Sequence, residues 1–309
     1  MNTLNITPEN KIDNWANVIR TKLESGDNLL IIGDTETTGT HELGDKKNFG
    51  RKDRILEIGF LFYEECEKDV VKPLLDMEGQ QIFFHEYINP HEEDPITLER
   101  YNSIMEIPDE VIKFVHGIDH EFLKGKAGLV KKGGGRDSFI LPQPAPTFEE
   151  VKPYLEDLLC VDDLVTFKGK LKFIAHNALF DVQFMNAEWK KTEMYEEKRQ
   201  FPAFFESYIE TVDTLKIASQ MYTRAELKEI GSQRGLKASG GFSLDFLQEF
   251  YEIEAARDMH GALLDSEILA MVYKALVTDE RYQTSSVISK TKQPTNKIER
   301  KTRSNLVAI

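Results

Sequence analysis

Three short stretches put acidic residues where an unpaired charge is costly. The first is Gly33-Asp34-Thr35-Glu36-Thr37-Thr38-Gly39, directly after the apolar run Leu29 to Ile32. Side chains two apart on a strand share a face, so this spacing predicts that Asp34 and Glu36 converge at the strand's end. Carboxylates that close repel one another unless a cation sits between them. An all-oxygen donor set suits Mg2+ or Mn2+, which prefer carboxylate and water to nitrogen or sulfur. For a DxE standing alone, a solvated turn with capping residues is the competing reading.

The second stretch, Phe173-Ile174-Ala175-His176-Asn177-Ala178-Leu179-Phe180-Asp181, reads as a strand ending in a polar elbow. Asn177 is placed to cap the following helix, and Asp181, one turn in, can reach back over the strand ends. Taken alone, Asp181 reads as a surface acid favoured by the helix dipole more readily than as a ligand. The third stretch is His260-Gly261-Ala262-Leu263-Leu264-Asp265-Ser266-Glu267, at the start of the last long helix. Asp265 falls among apolar residues on a helix that must pack on the sheet, where a bare charge is expensive and a metal would relieve the cost. His260 carries an imidazole whose pKa suits proton transfer near neutrality, although a lone histidine before a helix is usually structural.

The elements that must position these residues are legible from periodicity. Ile12, Trp15, Ile19 and Leu23 recur at helical spacing, predicting an amphipathic helix ahead of the main fold. Arg54 to Tyr63 and Gln81 to Ile88 read as strands, so the run at 29–32 and these two form an antiparallel meander. The pattern then alternates. Thr147 and Glu150 form a capping box opening a helix through Leu159; Lys172 to Ala175 and Ile209 to Val212 read as strands, each followed by a helix, which implies parallel crossovers. Further helices are expected from Ser243 to Tyr251 and from Gly261 to Ala275.

Composition bounds the rest. The 309 residues are 40% hydrophobic, enough for a buried core, and no apolar run approaches the length of a membrane span. Met1 to Arg20 lacks the pattern of a signal peptide, and Cys66 and Cys160 lack metal or disulfide-framework spacing, so a reducing cytoplasm is the expected home. The formal charge of −14 repels polyphosphate at long range and disfavours unaided binding to long duplex DNA, while short single-stranded ends or delivery by a partner remain compatible. Lys124 to Pro146, with three consecutive glycines and three prolines, reads as an insertion without regular structure. Asp279 to Ile309, rich in Lys, Arg, Ser and Thr, reads as a mobile basic tail.

Taken together, DTETTG, HNALFD and HGALLD, in that order, resemble the three motifs of the DEDDh branch of the DEDD 3′–5′ exonuclease superfamily. Within that branch the likeness is to the proofreading exonucleases that serve bacterial replicative polymerases. Val115-His116-Gly117-Ile118 and Asp213-Thr214-Leu215 add to it, and the resemblance spans most of Leu29 to Ala275. It implies an α/β ribonuclease H-like fold, a mixed five-stranded sheet flanked by helices. The resulting boundaries are a helical extension over 1–28, the exonuclease domain over 29–278 with the insertion 124–146, and the tail over 279–309.

The resemblance also implies roles. Two divalent cations, Mg2+ or Mn2+, would be held by Asp34, Glu36, Asp181 and Asp265. Asp34 would bridge both, Glu36 and Asp265 would hold the one that binds the attacking water, and Asp181 would support the second. His260 would be the general base, and Thr37, Thr38, His116 and Phe180 would line the pocket for an unpaired DNA 3′ end, whether single-stranded or mismatched. The implied partners are a polymerase catalytic subunit and a sliding clamp, the latter through a faint likeness of Gln283 to Ile288 to a clamp-binding peptide. Two alternatives stay open at this point: a free-standing nuclease trimming RNA or short oligonucleotides, and a non-catalytic polymerase-binding scaffold. The stretches 64–80, 124–146 and 190–207 are longer than the family core requires.

Overall fold

The computed structural model describes residues 3–39, 53–66, 71–90, 107–126, 140–195, 209–236, 241–255 and 261–284. Strand β1 (Asn28–Thr37) is the middle of a mixed sheet. On one side β2 (Ile55–Glu65) pairs with it antiparallel. The short β3 (Val71–Pro73) and β4 (Phe83–Tyr87) both pair with the far edge of β2, one after the other along its length. On the other side of β1 come β5 (Leu171–Ala175) and then β6 (Glu210–Asp213), both parallel. Six strands thus fill five positions. The expected mixed sheet is present, with the meander and the parallel crossovers in the predicted order; it has six strands where five were expected, because β3 and β4 share one edge of β2.

Helix α1 (Ile12–Ser25) precedes the sheet and buries Ile12, Trp15, Ile19 and Leu23, the predicted stripe; it stops at Gly26, whose left-handed φ of 104° only glycine adopts freely. Short helices α2 (Asp109–Val111) and α3 (His120–Leu123) follow the meander, with a π-helical turn over Ile112–His116 between them. Helix α4 (Phe148–Leu158) opens on the predicted capping box of Thr147 and Glu150. Helix α5 (Leu179–Tyr195) follows β5. After β6 come α6 (Thr214–Met221), α7 (Arg224–Arg234), α8 (Leu244–Phe250) and α9 (Ala262–Thr278).

The strands' period of two sorts the core into layers. Leu29 and Ile31 of β1, Ile58, Phe60 and Phe62 of β2 and Phe173 of β5 pack with α1, α4 and α5 on one face. Leu30, Ile32 and Ile174 pack with α6 to α9 on the other. Whatever follows in register on β1 inherits this division: Thr35 points to the α5 layer, Asp34 and Glu36 to the α9 layer.

The chain ahead of α1 covers the open edge of β4. Glu86 accepts the backbone N–H groups of Asn5, Ile6 and Thr7 at 3.0, 2.8 and 2.7 Å, and Thr7 bonds to the backbone of His85 in both directions. An edge strand so occupied is closed to pairing with another chain. At the other end, the segment from Asp279 begins with α10 (Glu280–Thr284), where the hydroxyls of Tyr222 and Tyr251 donate to Asp279 and the Arg281 guanidinium lies over the Tyr222 ring. Residues 285–309 and 127–139, which hold most of the tail and of the insertion, lie outside the described residues. Among the described residues no helix is long and apolar enough to cross a membrane.

Candidate active site

The acidic residues meet where β1 ends. Asp34 stands across from Gly59 and Glu36 across from Glu57 in the β1–β2 ladder, after which a bulge between Glu36 and Thr37 breaks the register. Asp265 arrives from the first turn of α9. It can do so because position 59 has no side chain: a Cβ there would sit 2.4 Å from backbone atoms of Ala262 and Leu263. Ser266 fixes the same approach, its Oγ lying 2.8 Å from the Gly59 carbonyl oxygen. Carboxylate oxygens of Asp34, Glu36 and Asp265 consequently all lie within 4.8 Å of one another, with Asp265 only 3% exposed.

That donor set fits a divalent cation. Ligands on opposite sides of an octahedral Mg2+ are about 4.2 Å apart and adjacent ones about 3 Å. At most one of the three pairs can be opposite, so oxygens that lie within 4.8 Å of one another need to close by at most about 2 Å, within reach of side-chain rotation, to share one ion. Closing without an ion would bring negative charges together in a largely buried place.

Asp181 is not brought into this group. It comes from α5, on the opposite face of the sheet, and its Oδ1 accepts the Thr35 N–H at 3.1 Å and the Thr35 hydroxyl at 2.9 Å. Pairing of β1 with β5 runs only as far as Ile32, so the carboxylate takes over a backbone donor that the sheet leaves behind. The elbow before it differs from the capping expectation. Helix α5 starts at Leu179, and Asn177 instead makes the turn itself, at a left-handed φ of 63° that asparagine tolerates. Its N–H donates to Asp213 Oδ1 at 3.1 Å.

Burial, the largest influence, raises the Asp181 carboxyl to about 7; the hydrogen bonds from Thr35 oppose this and the nearby charge of Asp213 adds to it. The folded protein then holds this proton more tightly than the unfolded chain does. The resulting stability is complete at pH below about 4 and is lost as pH rises through about 7. In cation-free protein, Asp181→Asn is expected to flatten that part of the pH–stability curve and to match or exceed wild type at pH about 8. Thermal unfolding across pH checks this; an unchanged slope would show that the residue does not titrate there.

The remaining candidates are placed as follows. Thr37 Oγ1 donates to the Gly39 carbonyl, and Thr38 exchanges hydrogen bonds with Arg54, its N–H to the Arg54 carbonyl and its Oγ1 accepting the Arg54 N–H, each at 2.9 Å. His116 is buried, with Nδ1 accepting the Ile118 N–H at 3.0 Å. Phe180 is partly buried, its ring 4.8 Å from that of Phe184. His260 lies outside the described residues, although Gly261 and the start of α9 fix where the chain resumes.

Two features escaped the sequence reading. Glu57, fully buried and across from Glu36, is held by His85 Nε2 at 2.7 Å. Arg54, just before β2, makes a two-pronged ion pair with Glu188 of α5, both N–O distances being 2.6 Å. The signal for both was a charged residue on each side of Ile55-Leu56 within RILEIG, in a strand destined for the interior.

No protein-family model matches the chain. Curated relatives do. The DNA polymerase III subunit epsilon of Rickettsia prowazekii (strain Madrid E) is 30% identical over 261 residues, covering 84% of this chain and 78% of that one. That of Rickettsia typhi is 30% identical over 267 residues, 86% and 81% of the two chains. That of Escherichia coli (strain K12) is 28% identical over 264 residues, 85% and 77%. Two solved structures are also similar. One is a 3′-exonuclease studied for 3′-end-specific recognition of a histone mRNA stem-loop, with a TM-score of 0.45, 15% identity and coverage of 84% of this chain and 67% of that one. The other is a full-length 3′-exonuclease, with a TM-score of 0.46, 15% identity and coverage of 83% and 84%. With three carboxylates gathered at the end of β1 and relatives of this identity along most of its length, the chain belongs to the DNA polymerase III epsilon-subunit family of 3′-to-5′ exonucleases.

Proposed function

We propose that this protein removes nucleotides one at a time from DNA 3′ ends as the proofreading partner of a replicative polymerase, using two divalent cations, Mg2+ or Mn2+. The observation that carries the reading is the convergence of Asp34, Glu36 and Asp265 within 4.8 Å at a strand end in a member of the epsilon family. Asp34, Glu36 and Asp265 would hold one cation, and Asp34 and Asp181 would support the second. Cations bound there would neutralise the phosphate, lower the pKa of the attacking water and stabilise the leaving oxygen.

The chain's own groups do the rest. A bare carboxylate cluster repels a phosphodiester, so the site admits substrate only when loaded, which adds to the general repulsion from a net charge of −14. Delivery of the 3′ end by a polymerase subunit, with a sliding clamp reached through the tail, removes the need for tight unaided binding. His260, immediately ahead of the helix that carries Asp265, would take the proton from the water. Thr37, Thr38, His116 and Phe180 would shape the pocket for the frayed nucleotide.

Matched DNA and RNA oligonucleotides, each with paired and mispaired 3′ termini, test the reading. Faster release from the mispaired DNA end is expected; faster release from RNA would favour free-standing RNA trimming instead. In the same assay His260→Ala is expected to lower the single-turnover rate by about 10² to 10⁴ while leaving Mn2+ affinity nearly intact. Loss of the metal along with the rate would make His260 a ligand rather than a base.

A further inference from the structure

Arg54 and Glu188 form a buried ion pair that no catalytic step requires. Their side chains are 1% and 2% exposed, and the guanidinium meets the carboxylate through Nε–Oε1 and Nη2–Oε2 contacts of 2.6 Å each. Glu188 Oε1 also accepts the Ile55 N–H at 3.3 Å. Burial pushes the Glu188 carboxyl up, and the Arg54 charge, with Lys191 and the hydrogen bonds, more than offsets this and holds it below its ordinary value. An apolar pair of similar volume often serves stability as well as a buried ion pair does, so stability alone is a weak reason for its presence.

Its connections suggest another. Glu188 lies seven residues, two helical turns, beyond Asp181 on α5, so both carboxylates project from one face of the helix. Asp181 grips β1 through Thr35, and Glu188 grips the start of β2 through Arg54 and Ile55. Arg54 in turn bonds to Thr38 by both N–H and carbonyl, two residues past Glu36 and just beyond the bulge. The pair therefore sits between the strand end that carries Glu36 and the helix that carries Asp181. We infer that Arg54 and Glu188 are positioning residues: their fork fixes the rotation and height of α5 against the β1–β2 edge, and so sets where Asp181 stands relative to Asp34, Glu36 and Asp265.

This rests on the nuclease reading above, and the test separates the two. The variant is Arg54→Met with Glu188→Leu, which removes both charges and leaves apolar groups of comparable length. Its thermal midpoint is measured, together with amide hydrogen exchange at Thr35, whose N–H donates to Asp181, and single-turnover cleavage in saturating Mg2+. The fold should survive, Thr35 should exchange faster, and the rate should fall by about 10², the scale of a misplacement near 1 Å. An active wild type with either reading unchanged in the double variant overturns this inference alone. An inert wild type overturns the nuclease reading and this inference with it. Should the double variant not fold, Arg54→Lys keeps the charge but loses the fork. Slower cleavage with faster Thr35 exchange in that variant supports the inference, and wild-type values for either measurement overturn it.

Discussion

Asp265→Ala is expected to abolish useful cleavage and, in the absence of divalent cation, to leave the protein at least as stable as wild type. The two effects have one cause. In the cation-free protein three carboxylates lie within 4.8 Å, and the one on α9 is nearly inaccessible to water. Removing it relieves repulsion and ends the burial of a charge. The helix itself stays in place, because Ile268, Leu269, Val272 and Leu276 hold it in the second core layer. With Mn2+ or Mg2+ present the order reverses: wild type gains stability by binding the ion in its folded state and the variant does not. Cleavage should fall by at least about 10² to 10³, the scale of losing one preorganised electrostatic contact at a reacting centre. Thermal melts with and without cation, alongside turnover, read both. A variant less stable than wild type without cation would mean that Asp265 serves the packing of α9 and not a metal.

Gly59→Ala should be nearly as damaging, although residue 59 has no side chain to take part in anything. An added Cβ would meet the Ala262 carbonyl carbon and the Leu263 nitrogen at 2.4 Å, and these are backbone atoms in the first turn of a helix. They cannot rotate aside, so α9 must lift from β2. Overpacking of this kind costs about 1–3 kcal/mol. The larger effect falls on Asp265, three residues further along the same turn, because a displacement near 1 Å at a reacting centre costs about 10² in rate. Affinity for Mn2+ should weaken in parallel. A Gly59→Ala protein with wild-type rate and metal affinity would show that α9 can shift without moving Asp265, and would break the link between the strand's glycine and the site.

Much of this site was legible in the sequence because local rules dictate it. A period of two puts Asp34 and Glu36 on one face, and the β1–β2 register agrees, pairing them with Gly59 and Glu57. Helix boundaries followed from caps and apolar spacing: Thr147 with Glu150, and Ile12, Trp15, Ile19 and Leu23, behave as their types require. The acid on an apolar helix face, Asp265, was a conflict between local and global preference, and such conflicts mark function. What local rules could not supply was the choice of partner across long separations. Asp181 turns to Thr35, 146 residues away, and Arg54 pairs with Glu188 across 134. Neither choice follows from spacing: the first depends on which backbone donor the finished sheet leaves behind, the second on how α5 lies against the start of β2. Nor does a sequence distinguish a glycine that makes a turn from Gly59, which is needed only because another element approaches it.

The most direct test of the central claim, that three carboxylates at the end of β1 form the cation site of a 3′-to-5′ exonuclease, is a time course on single-stranded DNA labelled at its 5′ end. Wild type and Asp265→Ala are compared in Mg2+ and in excess chelator. Wild type with Mg2+ should produce a ladder that shortens stepwise from the 3′ end and releases nucleoside 5′-monophosphates, while chelator or the substitution should leave the full-length band intact. Undiminished shortening in chelator, loss of nucleotides from the 5′ end, or a wild-type ladder from Asp265→Ala would contradict it.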